Sequence, residues 1–482
     1  MIDVRPVGYV IGWLVTAFGV SMLAPLLADL ALHEEREMVF AYCAILTTLC
    51  GAAMTLACAN AEVRSLTIQQ SFLFACGIWV VFPLFGALPF ILGEPDATAV
   101  DALFESMSAL TTTGGTVFTH LETLPPGTLL WRGQMQWFGG LGIVVVAIVF
   151  LPTLKVGGMQ FFRSEAFDTL GKILPRATEI AMSLTSIYLA TTVACIAGYL
   201  WTGMTPFDAL VHALSTVSTG GMANYDASFG QFGTGSQYVA IVFMILAALP
   251  FVRYIQLVAG SARPLLTDSQ VRAFFAIMAV FVLALVWRMM VEKTMPPGEA
   301  FRHALFNVVS VVTGTGFSSI DYGAWGAFAI ALFFVLGLIG GCSGSTACSV
   351  KVFRYQLLIS AVVAEVRRLH SPNRVILPRY QGRPVDDETM NSVMAFFMLF
   401  YLTLGLLTVL LIMLGLPPLT AISSAATALA NIGPGLGDEV GPAGNFAGLN
   451  DAAKAVLTLA MLLGRLELLS VLVILTPAFW RA

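Results

Sequence analysis

Apolar runs of about 20 residues or more, the length an α-helix needs to cross the hydrocarbon of a bilayer, recur along this chain and leave few folds open to it. They fall near 7–31, 38–59, 70–92, 129–153, 179–203, 237–262, 272–291, 326–362, 391–415 and 452–478, which makes ten expected crossings. Backbone inside lipid must satisfy its own hydrogen bonds, so the expected fold class is an all-α integral membrane protein, with no strand expected. Composition points the same way. Of 482 residues 58% are hydrophobic and 11% charged, where a soluble domain carries about 25% charge. That balance excludes a disordered chain, a secreted disulfide scaffold and a nucleic-acid binder. The seven cysteines are odd in number, form no C-x-x-C and sit in apolar stretches. They are expected to be small buried hydrophobes. The first run is longer than a signal-peptide core and ends in an acidic cluster, so it reads as a span.

Placing both termini in the cytoplasm puts 17 of the 24 Lys and Arg on the inner side, among them Arg5, Arg64, Lys155, Arg163, Arg253, Arg354 and Arg383. The reverse orientation inverts that bias and contradicts the positive-inside rule. The longest charged inner segments, 154–178 and 364–389, are the expected docking surfaces for a cytosolic partner.

Between the long runs lie shorter ones near 99–113, 206–219, 301–315 and 419–432, too short to cross and suited to re-entrant half-helices. They resemble one another. ALFESMSALTTTG at 102–114 and ALFNVVSVVTGTG at 304–316 agree at seven of thirteen positions, and 208–220 and 421–433 fit the frame more loosely. The chain therefore divides into two leading helices (1–65) and four span, half-helix, glycine turn, span repeats (66–178, 179–266, 267–388, 389–482). Each half-helix ends on a glycine: Gly114, Gly220, Gly316 and Gly433. Either these glycines only let helices pack closely, or they let successive carbonyls point one way. Four such turns around a pseudo-fourfold axis would build a ring of carbonyl oxygens that replaces a cation's hydration shell. Half-helix dipoles aimed inward by their negative ends favour a cation.

These repeats, with TTTGGT at 111–116, STGGM at 218–222 and GTGF at 314–317, resemble the Trk/Ktr/HKT superfamily of potassium transporters across nearly the whole chain. The two extra leading helices look like the TrkH branch rather than KtrB. The resemblance implies potassium uptake across a bacterial inner membrane. It also implies a homodimer with one pore per protomer and a cytosolic, nucleotide-binding TrkA-like ring as regulator. No cofactor is implied; K⁺ is cargo, with Rb⁺ as congener and Na⁺ weakly. Carried over by position, the filter carbonyls come from Thr112, Thr113 and Gly114, from Ser218, Thr219 and Gly220, from Gly314, Thr315 and Gly316, and from Asn431, Ile432 and Gly433. Sodium-selective relatives carry Ser at the first glycine, so Gly114 favours potassium. The fourth copy departs most, with Ile432 and then Pro434.

Two further features bear on gating. The run 326–362 is too long for one span, and its middle, GLIGGCSGSTACS, is dense in glycine, each glycine costing a helix about 1 kcal/mol against alanine. This stretch either packs tightly against a neighbour or breaks into a loop across the pore. Its match to the GGCxGST core of TrkH-like proteins implies the gate, at Gly340, Gly341, Cys342, Ser343, Gly344, Ser345 and Thr346. Arg465 lies near the middle of the last run, where an arginine costs at least about 2.5 kcal/mol. It either pairs with an acid on another helix or sets cation occupancy beneath the filter, as its counterpart in TrkH-like proteins implies. Asp226, Asp321, Asp438 and Glu439 follow the turns, as outer-mouth charges or as solvated loop carboxylates. His120, His212 and His303 have no metal spacing.

The leading function is a selective potassium pore; the alternative is a proton- or sodium-coupled symporter, which needs membrane carboxylates beyond Glu105 and Glu467. No enzyme is expected, since no H-E-x-x-H, paired aspartates or G-x-S-x-G appears.

Overall fold

The computed structural model describes residues 2–32, 38–60, 66–145, 177–293, 295–371, 373–374 and 376–481. The inner segment expected at 154–178 lies almost wholly outside them. The chain is a helical membrane protein. Among the described residues, six helical stretches are long and apolar enough to cross a bilayer: Arg5–Leu32, Met38–Ala57, Ile68–Leu92, Glu179–Trp201, Ser269–Glu292 and Asp387–Met413. They carry large apolar side chains on their outer faces, such as Leu49, Val193, Leu283 and Leu406. A continuous surface of that kind is stable against lipid and not against water.

Of the remaining expected spans, that at 129–153 is a continuous helix, Pro126–Val145, as far as the described residues reach, and the other three are interrupted. Thr234–Ala248 and Phe251–Val258 meet at 93°, and Asp451–Arg465 and Leu469–Leu475 at 105°. Both were expected as straight spans. At the first bend Pro250 supplies no N–H and Leu249 takes extended dihedrals, so the helical ladder stops there. At the second, Glu467 and Leu468 both take positive φ, which no straight helix allows. The run at 326–362 divides into Ala327–Gly337 and Val352–His370, with an irregular loop between. A two-residue hairpin, Arg379–Tyr380 with Arg383–Pro384, is a small exception to the all-helix expectation. Gln381 and Gly382, both at positive φ, make the tight turn that joins its strands.

The leading helices Arg5–Ser21 and Met38–Ala57 pack through small residues: a methyl at Gly12 would strike the Thr55 backbone, and one at Gly51 the Thr16 backbone. The interior divides into two large apolar clusters. One joins the first and fourth repeats, with Phe104, Trp131, Leu429 and Phe446; the other joins the second and third, with Val217, Phe229, Phe306 and Phe317. Four half-helices contribute to them, at Ala99–Leu110, Pro206–Val217, Pro297–Thr313 and Pro418–Ala430. The first two start on capping threonines: Thr98 accepts from the Asp101 N–H and Thr205 from the Asp208 N–H. The last two start on Pro296–Pro297 and Pro417–Pro418, a proline at N1 being preset for helix. The first, 12 residues long, is about 18 Å at 1.5 Å per residue and reaches only part-way through a bilayer.

Candidate functional site

Each half-helix ends in the same way. Positive φ occurs two residues apart at Thr112 and Gly114, Thr219 and Gly221, Gly314 and Gly316, and Asn431 and Gly433. The residue between them returns its N–H five residues back: Thr113 to Ser108, Gly220 to Ser215, Thr315 to Ser310 and Ile432 to Thr427, at 2.8–3.1 Å. The four equivalent triads are therefore Thr112–Gly114, Thr219–Gly221, Gly314–Gly316 and Asn431–Gly433. Sequence comparison set Gly220 opposite Gly114; the backbone sets Gly221 there. Ser218, expected among the filter residues, is the capping residue of its half-helix, and its hydroxyl donates to the Ser215 carbonyl. The signal was present in the half-helix. Shifted by one, Ala209, Leu210 and Ser215 align with Ala102, Leu103 and Ser108, but the doubled glycine at 220–221 hid the shift.

The four turns close on one another. A Cβ at Gly114 would overlap the Gly220 carbonyl oxygen, one at Gly221 that of Thr315, one at Gly316 that of Ile432, and one at Gly433 that of Thr113. Each turn thus leans on the next, and the fourth leans on the first. At these positions glycine is required twice, by its left-handed φ and by the approach of a neighbouring carbonyl. Among the described residues, the Thr113, Thr315 and Ile432 carbonyls accept no hydrogen bond, while that of Gly220 accepts one of 2.7 Å from Gln136 Nε2. On one side the turns open on a cavity of about 140 Å³ whose lining includes Gly114, Gly221, Gly316 and Pro434, one from each copy.

Behind the first and second turns lies a buried polar network. Arg132 Nε donates to Glu105 Oε1 at 2.7 Å, with both side chains sealed from solvent. The same guanidinium donates to the Ala223 carbonyl and to Thr116 Oγ1, joining the two copies. Asp101 of the first half-helix pairs with Lys454 at 2.6 Å. Asp208 receives Asn224 Nδ2 and the Tyr225 hydroxyl. The carboxylates that follow the turns divide. Asp226 lines the vestibule and accepts the His120 and Leu121 N–H groups, whereas Asp321 caps a short 3₁₀ turn at Gly323. His120, Glu122 and Asp226, all exposed, have ligand atoms within 4.8 Å of one another, a grouping that sequence spacing hid.

Opposite the vestibule, the loop between Gly337 and Val352 lies against the turns. Gly340 N–H donates to the Val350 carbonyl and Val352 N–H to the Gly341 carbonyl, tying the base of the loop. Its tip grips the bend of the Thr234–Val258 pair. Cys342 N–H donates to the Ala248 carbonyl, Thr346 N–H and Oγ1 to that of Ala247, and Phe251 N–H to that of Gly344. Ser343 N–H donates to Gln270 Oε1 at 2.8 Å, and the Ser345 hydroxyl turns back to the Cys342 carbonyl. The returning limb touches three half-helix ends. Cys348 Sγ is 3.4 Å from Thr112 Oγ1, a Cβ on Gly314 would meet Cys348, and Ser349 N–H donates to the Ala430 carbonyl. Cys342 and Cys348 are buried as expected, but Cys50 faces outward and Cys58 and Cys76 are half-buried; all seven thiols are free.

Arg465 ends its helix at the 105° bend rather than sitting in mid-span. Its guanidinium is buried, donating to Cys348 Sγ at 3.1 Å and to the Gly139 carbonyl at 3.1 Å, with Trp79 stacked 5.4 Å away. Its Nε has no partner among the described residues. Glu467 pairs with Arg354, not with Arg465. The Arg–Glu pair weighed from sequence therefore exists with another arginine, brought in by the helix beyond the loop.

The family profile of TrkH, described as a cation transport protein, matches residues 36–481. The chain belongs to the TrkH family. This TrkH-family chain is 44% identical over 472 residues to the Trk system potassium uptake protein TrkI of Halomonas elongata, covering 97% of this chain and 95% of that protein. It is 36% identical to the Trk system potassium uptake protein TrkH of Vibrio parahaemolyticus, covering 99% of each. The crystal structure of the potassium transporter TrkH from Vibrio parahaemolyticus superposes with a TM-score of 0.92 at 34% identity over the whole of both chains. The resemblance read from the glycine turns and the whole helical fold is thereby established.

Proposed function

We propose that this TrkH-family chain takes up potassium through a pore lined by the four turns, with their backbone carbonyls as the selectivity filter. The observation that carries the reading is the closed circuit in which each turn's glycine abuts the carbonyl of the next. Carbonyl oxygens fixed at a set spacing replace the water around a monovalent cation, and fixed backbone needs no reorganisation when the ion arrives. In this register the filter consists of Thr112–Gly114, Thr219–Gly221, Gly314–Gly316 and Asn431–Gly433. K⁺ is cargo, and the membrane potential supplies about 2.3 kcal/mol per charge per 100 mV. The Gly340–Thr346 loop and Arg465 gate the path by blocking its inner end with backbone and a buried positive charge. Both termini face the cytoplasm of the bacterial inner membrane, and two chains form a homodimer. The charged segment around 364–389 meets a cytosolic nucleotide-binding ring of TrkA type.

Coupling to protons or sodium finds little support, because the buried Glu105 is already held in an ion pair with Arg132. The test is ⁸⁶Rb⁺ uptake into proteoliposomes at an imposed potential, with Na⁺ competitor, for the wild type and Gly114→Ser. Uptake that Na⁺ barely competes, turned sodium-permissive by Gly114→Ser, is the expected result. Flux that requires a proton or sodium gradient would replace the pore with a symporter.

A further inference from the structure

One position on each half-helix, nine residues before the filter glycine, recurs with four different side chains: Glu105, His212, Asn307 and Ser424. In three copies that side chain accepts the same backbone hydrogen bond, from the residue three beyond the filter glycine. Val117 N–H donates to Glu105 Oε2 at 3.0 Å, Asn224 N–H to His212 Nε2 at 3.4 Å, and Ser319 N–H to Asn307 Oδ1 at 3.1 Å. In the fourth copy the acceptor moves one residue back: Leu436 N–H donates to Ser423 Oγ at 3.0 Å. Ser424, fully buried beside it, has no hydrogen-bond partner for its hydroxyl among the described residues. All four acceptors are shielded from solvent.

We infer that Glu105, His212, Asn307 and Ser423 are a ring of positioning residues that hold the ascending limb of each turn, and thereby set how strictly the filter discriminates between cations. This rests on the filter reading above.

The two-sided chemistry of each acceptor supports the role. His212 Nδ1 lies 2.8 Å from the Asp208 carbonyl, four residues back, and Asn307 Nδ2 lies 3.0 Å from the His303 carbonyl, also four back. Histidine and asparagine here do one job, donating down their own half-helix while accepting from the limb. That fixes His212 as the neutral Nδ1–H tautomer, because a proton on Nε2 would face the Asn224 N–H. Glu105 makes no such downward bond among the described residues, and its other oxygen accepts from Arg132 instead. The Ser423 hydroxyl accepts from Leu436 N–H while turned toward the carbonyls of Leu436 and Thr420. A limb tied on its far side to a rigid half-helix cannot widen to follow a hydration shell. Losing the tie leaves a buried N–H unpaired, and the limb relaxes to find another partner.

The experiment measures ⁸⁶Rb⁺ uptake into proteoliposomes and its competition by Na⁺ in two matched pairs, with Gly114→Ser alongside. Ser423→Ala and Ser424→Ala remove the same atom from neighbouring buried serines, so neither is expected to unfold the protein. The Rb⁺ over Na⁺ preference should fall about tenfold in Ser423→Ala, equivalent to about 1.4 kcal/mol, and stay unchanged in Ser424→Ala. His212→Leu should lose discrimination, and His212→Asn, which supplies the same donor and acceptor, should restore most of it. If Ser423→Ala and Ser424→Ala discriminate alike while Gly114→Ser turns sodium-permissive, the brace is wrong and the filter stands. If Gly114→Ser also discriminates as the wild type does, the filter reading falls and the brace with it.

Discussion

The four turns and the loop beneath them are both irregular backbone buried at membrane depth, yet they are held in different ways. The turns are braced by side chains from their own half-helices and from the Glu105–Arg132 pair, and each is wedged against the next. The loop is held at its tip mainly through backbone carbonyls that another helix leaves unpaired where it bends, at Ala247 and Ala248. Helix ends carry unpaired carbonyls of this kind, and any donor that arrives can take them. The difference fits the two tasks proposed for them. A filter must keep one geometry against passing ions, so it is tied to parts that do not exchange. A gate must leave, so it is docked on groups that accept other donors or water once it has gone. Substitutions in the turns should therefore change selectivity or stability, and substitutions in the loop should change flux alone.

The largest effect is expected from Glu105→Ala, which strands Arg132 in a sealed site beside the Ala223 carbonyl. Removing one partner of a buried ion pair costs about 3–5 kcal/mol. The melting temperature of the purified protein in detergent should fall sharply, and sodium should begin to compete for uptake. A variant as stable as the wild type would show that the turns do not depend on this pair. Next comes Gly221→Ala compared with Gly220→Ala. The first forces a side chain into left-handed backbone, at about 1–2 kcal/mol, and against the Thr315 carbonyl. The second keeps ordinary backbone dihedrals and meets first the end of the Gln136 side chain rather than backbone. Rb⁺ uptake should be lost in Gly221→Ala and partly kept in Gly220→Ala; the opposite order would restore the register read from sequence.

Much of this architecture was legible in the residues, and the exceptions have physical causes. Span length and glycine density announced the half-helices, the turns and the break near 340, because lipid punishes irregular backbone unless it lines a path. The register of the second turn was obscured by Gly220, immediately before the correct position at Gly221. One right-angle bend carried a proline at 250, but the other, at Glu467 and Leu468, has neither glycine nor proline and is imposed by tertiary packing. The braces were invisible for a different reason. Glu, His, Asn and Ser share no residue class, and only the folded backbone shows that each accepts the equivalent amide. Arg465 stood out as a costly charge, yet its contacts at Cys348 and Gly139 come from elements far away in sequence.

The smallest effect should come from Thr346→Val, which keeps the side-chain shape and deletes one hydroxyl. Thr346 Oγ1 donates to the Ala247 carbonyl at 3.0 Å, and its own N–H reaches the same oxygen at 3.2 Å, so the carbonyl keeps one donor after the change. The net loss is then about 0.5–1.5 kcal/mol, borne only by the docked loop, since the freed carbonyl and the displaced loop can both bond water when the path is open. That energy shifts a closed-to-open equilibrium by about two- to tenfold toward open. ⁸⁶Rb⁺ uptake should rise by a factor in that range while the Rb⁺ over Na⁺ preference stays at the wild-type value, because no filter brace is touched. A change in preference without a rise in flux would mean that the loop props the filter rather than gates it, and the division between the two regions would not hold.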